Sequence, residues 1–380
     1  MMSPLHIVVV LDRLDPRYGG LESWADQWTR WLVKRGHEVH VAAFDIAPDG
    51  AGPGVIPHIL PRASGRLARA AEVEKFLRHR NPDIVHDLGV GWRYDILQPQ
   101  AGSRLSNARQ DMLSLGRWER FERRLSPWNA RRNREFRALE RRQFGAGPGI
   151  VIAVSRLVQA DLRRRYDLDP SRIRLVYNGV DLPRLAGLDA QTCREYLRRS
   201  LGLHDQVLFL FAGHNFRLKG LGPSLEALCL LGRAGRSCHL AVIGRGPSEE
   251  YQTMARRLGV FDRVTFHGFV DDVRPFFFGA DAFVLPTFHD ACSLAVGEAW
   301  ACGLPVITTR FNGAAELMTS GVHGWVLNDP RDSRELARRM ESLLEPGLRN
   351  TMSAAARELG SGQSLENNFA RIEEILKEVR

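Results

Sequence analysis

Short, unbroken apolar runs divide the chain, and the apolar positions between them recur at helical spacing. HIVVVLD (6–12) reads as a buried strand; a Gly-containing loop follows, then a helix on which Trp24, Trp28 and Trp31 fall at i, i+4 and i+7 and so belong to the core. HEVHVAAF (37–44) and DIVHDLG (83–89) are further strands. After residue 200 the rhythm restarts with VLFLFAG (207–213), a helix through LEALCLL, then HLAVIG (239–244), VTFHG (264–268), AFVLPT (282–287) and PVITT (305–309). Strands that are apolar along their whole length and alternate with helices predict parallel sheets covered on both faces. The fold class is therefore α/β, with two Rossmann-like, doubly wound domains. YNGVDLPRLAGLD (177–189) reads as the linker, giving domains at 1–180 and 181–363. SLENNFARIEEILKEVR (364–380) reads as a terminal helix capped by Ser364 that could pack on either domain.

Composition agrees with two cores: 380 residues, 44% of them hydrophobic, exceed what one ordinary core takes. The opening MMSPLHIVVVLD has only a short apolar run and no small-residue cleavage site, and no run of about 18 apolar residues occurs, which predicts a soluble, unprocessed protein. Cys193, Cys229, Cys238, Cys292 and Cys302 form no CxxC pair and have no zinc-like His spacing, so they read as reduced packing thiols and point to the cytoplasm.

Charge changes the picture in one place. The formal net charge is +9, and residues 104–142 hold twelve arginines against five acids, an excess of seven. Within this segment Trp118, Phe121, Leu125 and Trp128 fall at i, i+3, i+7 and i+10, with Arg117, Arg120 and Arg124 beside them. Such a stripe suits an anionic membrane surface reached from the cytoplasmic side; it equally suits a solvated arginine face over a core-packed stripe, or a pocket for an acidic acceptor. Ser126-Pro127 interrupts it as a new helix cap. No recognition module for nucleic acid accompanies the charge, so no nucleic-acid partner is expected.

The densest candidate chemistry is HDACSLAVGEAWACGLPVITT (289–309). On one helix Asp290 and Glu298 would stand about 80° apart, not on a shared face. A loop carrying Asp290, followed by a helix starting near Ser293, puts Glu298 about 7 Å along the axis with free backbone N–H groups between the acids. Ala291, Ser293, Ala295 and Gly297 are small enough for a ligand to approach that backbone. An elongated ligand with hydroxyls at both ends and a phosphate between fits, as a sugar nucleotide does; a plain strand–loop–helix–strand unit with an exposed acid at each end fits the spacing too.

This stretch resembles the signature of retaining GT-B glycosyltransferases of family four, the lipopolysaccharide-core glucosyltransferase and mannosyltransferase type: an acid, seven residues, Glu298, Ala299 and then Ala301-Cys302-Gly303-Leu304-Pro305-Val306. RLDPRYGGLESW (13–24), VIAVSRLVQADL (151–162), IRLVYNGVDL (173–182), FAGHNFRLKG (211–220), VIGRGP (242–247) and FNGAAELMTSGVHGWVL (311–327) match in order and spacing. The resemblance implies a GT-B fold with an acceptor-side N-terminal domain, a nucleotide-side C-terminal domain, a cleft between them and a last helix returning to the first domain. It implies that Glu298 accepts hydrogen bonds from ribose hydroxyls and Asp290 from the donor sugar. Backbone N–H groups around Ser293 and Leu294 would face sugar and diphosphate, Lys219 with Arg217 would neutralise the leaving nucleotide, and the Gly19-Gly20 turn would bring backbone close to the phosphates. The chain departs from the pattern at three points: Asp290 stands where Glu is usual, His214 where an Arg commonly follows the glycine, and Gln100 (in Gln98-Pro99-Gln100) where many relatives carry a His.

Transfer of a hexose, with retention, from a UDP- or GDP-sugar to a glycan or glycolipid hydroxyl is the implied reaction, in surface polysaccharide or lipopolysaccharide synthesis. The leaving phosphate itself takes the acceptor proton and Gln100 donates to the sugar, so no metal and no further cofactor is expected. A non-catalytic nucleotide-sugar binder and a sugar-nucleotide epimerase are the alternatives. Asp167-Leu168-Asp169 is formally a DxD metal motif but reads as turn and cap residues. Gly244-Arg245-Gly246-Pro247 lacks the third glycine of a dinucleotide fingerprint, and Pro247 reads as the first residue of a helix.

Overall fold

The computed structural model describes residues 4–145 and 147–380. It divides into two compact units, Met1–Tyr177 with Asn368–Arg380, and Asn178–Asn367. Within the second unit, Val180 pairs with the segment that leads into the terminal helix, Leu365–Glu378: its N–H donates to Gln363 O (2.7 Å) and its carbonyl accepts from Leu365 N–H (2.9 Å).

In the first unit a seven-stranded parallel sheet runs in the order β3-β2-β1-β4-β5-β6-β7. Its strands are β1 (His6–Leu14), β2 (Glu38–Ile46), β3 (Val55–Ile59), β4 (Ile84–Asp87), β5 (Ile96–Leu97), β6 (Ile150–Ala153) and β7 (Ile173–Leu175). The continuous apolar run of β1 is explained by burial on both faces: Ile7, Val8, Val9 and Val10 have no exposed surface. Trp24 and Trp28 are buried, and Phe369 of the terminal helix lies against all three tryptophans at 5.3–5.9 Å between ring centres. Trp24 Nε1–H donates to Asn368 Oδ1 (3.0 Å) and Trp28 Nε1–H to His86 Nδ1 (3.1 Å), so these rings are core with their polar tips satisfied.

Asp87, at the end of β4, is fully buried and accepts from the N–H groups of Gly89 (2.7 Å), Val90 (2.6 Å) and Gly91 (2.7 Å). Burial pushes its pKa up to about 6 against the pull of those three donors. Asp87→Ala strands three buried donors at once, and chemical denaturation is expected to show a loss of roughly 2–4 kcal/mol.

The second unit is a six-stranded parallel sheet in the order β10-β9-β8-β11-β12-β13. Its strands are β8 (Val207–Ala212), β9 (Cys238–Ile243), β10 (Val264–Gly268), β11 (Ala282–Leu285), β12 (Val306–Thr309) and β13 (Gly324–Leu327). All five cysteines are buried and free.

Asp167 is the left-handed C-cap (φ 48°) of the helix Arg156–Tyr166, and Asp169 accepts from Ser171 N–H at 2.8 Å, so the DxD is turn and cap. Pro247 is the N-cap preceding the helix Ser248–Leu258 and not its first residue, its ψ of 77° being outside the helical range. The stripe of residues 118–128 is not packed into the core. Trp118 (81% exposed), Phe121, Leu125 and Trp128 stand in solvent on the helices Arg117–Leu125 and Pro127–Gln143, and the first of these buries no residue. Among the described residues no helix is long and apolar enough to cross a membrane.

Candidate functional site

In the second unit the strand order reverses between β8 and β11, and the crevice beyond the carboxyl ends of strands at such a reversal is where open α/β sheets bind ligands. The loop after β8 and the loop after β11 meet there backbone to backbone. Phe288 N–H donates to Leu218 O (2.8 Å), and the Thr287 hydroxyl lies 3.0 Å from both Leu218 O and His289 O. Gly220 has φ 85°, and a Cβ on it would stand 2.2 Å from Pro286 O, so only glycine permits the approach.

The consequence is an ion pair between Lys219 and Asp290, 20% and 14% exposed, from positions 71 residues apart. Gly213 leaves room for the lysine stem, since a Cβ there would lie 3.3 Å from Lys219 Cγ. Arg217 sits half-buried on the same short turn, Phe216–Lys219. His214 caps the neighbouring loop: its Nδ1 accepts from Arg245 N–H (3.1 Å), and burial together with the Arg245 and Lys219 charges holds its pKa below the ordinary histidine value, which keeps it neutral. It does not stand in for the missing arginine charge.

Asp290 is fixed by backbone bonds to the turn after β12: its N–H donates to Phe311 O and its carbonyl accepts from Gly313 N–H, both at 2.9 Å. The buried Asn312 side chain ties the same loops together. Its Oδ1 accepts from Ser293 N–H (3.3 Å) and Ala314 N–H (3.1 Å), while its Nδ2 donates to Thr308 Oγ1 (3.1 Å). The helix runs Leu294–Ala301 with Ser293 as N-cap. Ser293 N–H is thus taken by Asn312, which corrects the expectation that it faces a ligand; the serine hydroxyl makes no capping bond, and it and the Leu294 N–H are what this end of the helix offers.

Gly297 also has a different reason from the one expected. A Cβ there would come 2.7 Å from Val180 Cγ2, so its smallness serves packing within the protein, and Ala291 is buried as well. One position on, the Glu298 carboxylate is half-buried and has no hydrogen-bond partner among the described residues. Desolvation pushes its pKa up to about 7; Arg184 pulls it down and Asp181 raises it further. The helix then stops at Gly303 (φ 75°), and Pro305 leads straight into β12, which accounts for the Gly-Leu-Pro of the sequence.

In the first unit, Gly19 is the extended N-cap (φ −173°) of the helix Gly20–Lys34, where a Cβ would meet only the Glu22 carboxylate. Any need for glycine there comes from what approaches it, not from its own backbone. Gln100 Nε2 is buried with no partner, and so is Gln98 Nε2, whose Oε1 is 3.1 Å from His86 Nε2. A cavity of about 820 Å³ opens at the carboxyl ends of β1 and β2, lined by Asp12, Arg13, Glu22, Arg62, Arg66 and Arg69 among others. Asp12 pairs with both Arg66 and Arg69, which hold its carboxyl below the ordinary range despite burial. Two arginines share one carboxylate, leaving a net positive floor.

Two family models match, one described as Glycosyltransferase Family 4 over residues 18–184 and one as Glycosyl transferases group 1 over residues 206–346. The chain belongs to the family-four, group 1 glycosyltransferases. Lipopolysaccharide glucosyltransferase WaaG of Escherichia coli is 29% identical to this family-four protein over 238 residues, 62% of this chain and 64% of that one. A D-inositol 3-phosphate glycosyltransferase of Xylanimonas cellulosilytica is 34% identical over 230 residues, 58% and 55% of the two chains. The chain spans about half to just under two thirds of the length of the curated relatives it matches. Its fold is that of the WaaG crystal structure (TM-score 0.83, 24% identity, 97% and 99% covered) and of the Anabaena protein HepE solved with UDP-glucose (TM-score 0.76, 20% identity, 98% and 100% covered). Two Rossmann-like parallel sheets make it GT-B.

Sequence reasoning on this family-four protein missed Asn312, Thr287 and the Asp12–Arg66–Arg69 group. The Asn-Gly at 312–313, directly after a strand, and the i, i+3 arginines 66 and 69 were the available signals.

Proposed function

We propose that the protein is a metal-independent, retaining hexosyltransferase that moves a sugar from a nucleotide-sugar donor to a hydroxyl of a glycan or glycolipid in surface polysaccharide or lipopolysaccharide synthesis. The observation that carries this reading is the Lys219–Asp290 pair at the strand-order reversal, with the unpartnered carboxylate of Glu298 on the helix that follows. Glu298 accepts from the ribose hydroxyls. Lys219 and Arg217 meet the diphosphate, with the Leu294 N–H at the positive end of its helix. Diphosphate draws Lys219 away from Asp290, which frees the aspartate to accept from a sugar hydroxyl. The acceptor oxygen then bonds to the anomeric carbon on the face from which the diphosphate oxygen departs. That oxygen takes the acceptor proton, and the configuration is retained. Lys219 stabilises the charge growing on the leaving group. HepE was solved with UDP-glucose and the relatives include a lipopolysaccharide glucosyltransferase, which supports a UDP-hexose.

In the first unit Gln100 Nε2 is a donor for a sugar hydroxyl, and the arginine-floored cavity suits an acceptor carrying an anionic group. The test is release of nucleotide from UDP-glucose or GDP-mannose in EDTA, with and without a lipopolysaccharide-core or lipid-linked glycan. Release that needs the acceptor and gives a product of unchanged anomeric configuration supports transfer. Release without an acceptor points to epimerase-type chemistry, and binding without release to a non-catalytic relative.

The exposed Trp118, Phe121, Leu125 and Trp128 favour a cytoplasmic protein that sits peripherally on an anionic bilayer through the segment 104–142. Arg120 and Arg123 are tied down by Leu113 O, Leu115 O and Asp111, whereas Arg117 and Arg124 stand exposed. Replacing Arg131, Arg132, Arg134 and Arg137 by Gln, or Trp118 and Trp128 by Ser, is expected to abolish co-sedimentation with phosphatidylglycerol-rich vesicles. Unchanged sedimentation of both variants removes the membrane reading.

A further inference from the structure

A cluster of metal-ligating side chains lies at the amino-terminal edge of the first unit's sheet, away from every residue used above. Strand register creates it. His6 on β1 opposes Glu38 on β2, and His40, two residues further along β2, projects from the same face. His40 in turn opposes Ile56 on β3, which places His58 on that face too. One donor atom each of His6, Glu38 and His40 lie within 4.8 Å of one another. His40 Nε2 is 2.9 Å from Glu38 Oε1, and its Nδ1 is 2.8 Å from His58 Nε2. His6 Nε2 is buried and has no hydrogen-bond partner, so folding has sequestered a ring nitrogen and satisfied it with nothing.

We propose that His6, Glu38 and His40 bind one divalent transition-metal cation of the zinc class, with His58 as the outer partner that orients His40. Two imidazoles and one carboxylate are a ligand set that zinc accepts, water completing the coordination on the solvent side. Bonds of about 2.0–2.2 Å hold ligand atoms roughly 3.4 Å apart. Glu38, whose side chain is 60% exposed, and the half-buried His6 can close that distance by rotamer change alone. His40 then binds through Nε2, and its Nδ1–H donates to His58 Nε2, the outer hydrogen bond that fixes the tautomer of a metal-bound imidazole. The ion joins β1 to β2 and, through His58, to β3. These are the opposite strand ends from the Asp12 cavity, so its role is to hold the edge of the sheet, and it takes no part in sugar transfer.

The experiment uses the untagged full chain, stripped with EDTA and titrated with Co²⁺ and then Zn²⁺. The expected result is one equivalent of Co²⁺ with a visible ligand-field band, displaced by Zn²⁺, and a thermal midpoint raised by Zn²⁺. His6→Gln and Glu38→Gln, each shown by circular dichroism to fold in EDTA, lose both the band and the thermal gain. His58→Ala keeps the stoichiometry and binds about 10–100-fold more weakly. No band in the wild type, or a band and thermal gain undiminished in either ligand variant, overturns the assignment.

Discussion

Lys219→Ala is expected to slow sugar transfer by about 10²–10³-fold, the loss that follows removal of one positioned donor from a site of developing negative charge. Among the described residues, the lysine is the cation paired with Asp290, the acid of the loop after β11. Because its work is done on the departing diphosphate, the loss should fall on kcat, with KM for the donor rising less. Asp290→Ala separates the two partners. It leaves Lys219 free to meet phosphate, so nucleotide binding should hold or tighten while transfer falls. Equal loss of UDP affinity in both variants would mean that the pair acts only to hold the two loops together. Chemical denaturation of both variants checks this independently, since side chains only 20% and 14% exposed leave the surviving charge largely desolvated once its partner is removed.

Glu298→Gln is expected to weaken nucleotide binding by roughly 10- to 100-fold, the worth of a hydrogen bond to a charged acceptor, and at the same time to stabilise the protein. Both effects have one cause. Desolvation raises the Glu298 pKa from 4.5 to about 7, so the folded state holds a proton that the unfolded chain releases. The contribution to stability is fully present below pH 4.5 and is lost as the pH rises through about 7. The amide has no such charge to bury. Urea unfolding should therefore find the variant more stable at pH 8 by something on the order of 2 kcal/mol, allowing for the group's partial exposure, with the difference vanishing near pH 4. Nucleotide binding has the opposite slope: the carboxylate is the better acceptor, so wild-type affinity rises with pH through about 7. A variant no more stable than wild type at pH 8 would show that Glu298 is not held at a cost.

The parallel sheets were legible because β1, β8, β9, β11 and β12 each carry an apolar run that is buried on both faces. β3 was not: it is an edge strand with Pro57 in its middle and Ile56 and Ile59 turned to solvent, so no pattern announces it. β5 has two residues and shows no period at all. In the site, the resemblance pointed to Asp290, Glu298 and Lys219, but their state depends on packing. That Lys219 rests on Asp290, that Asn312 has taken the Ser293 N–H, and that Gly297 is small for Val180 all require knowing which loops touch. The exposed Trp118 stripe has the helical period of a buried one, and only the absence of a covering element distinguishes them. The His6–Glu38–His40 cluster likewise exists only once β1 and β2 are in register.

The donor site in the second unit is tested most directly by isothermal titration of UDP and GDP into the wild type and Glu298→Gln, both in EDTA at pH 8. Saturable, one-to-one binding of one nucleotide to the wild type, weakened at least tenfold in a variant that is at least as stable, is the predicted result. Equal affinity in the two proteins, or no binding of either nucleotide to a wild type that is folded, would contradict it.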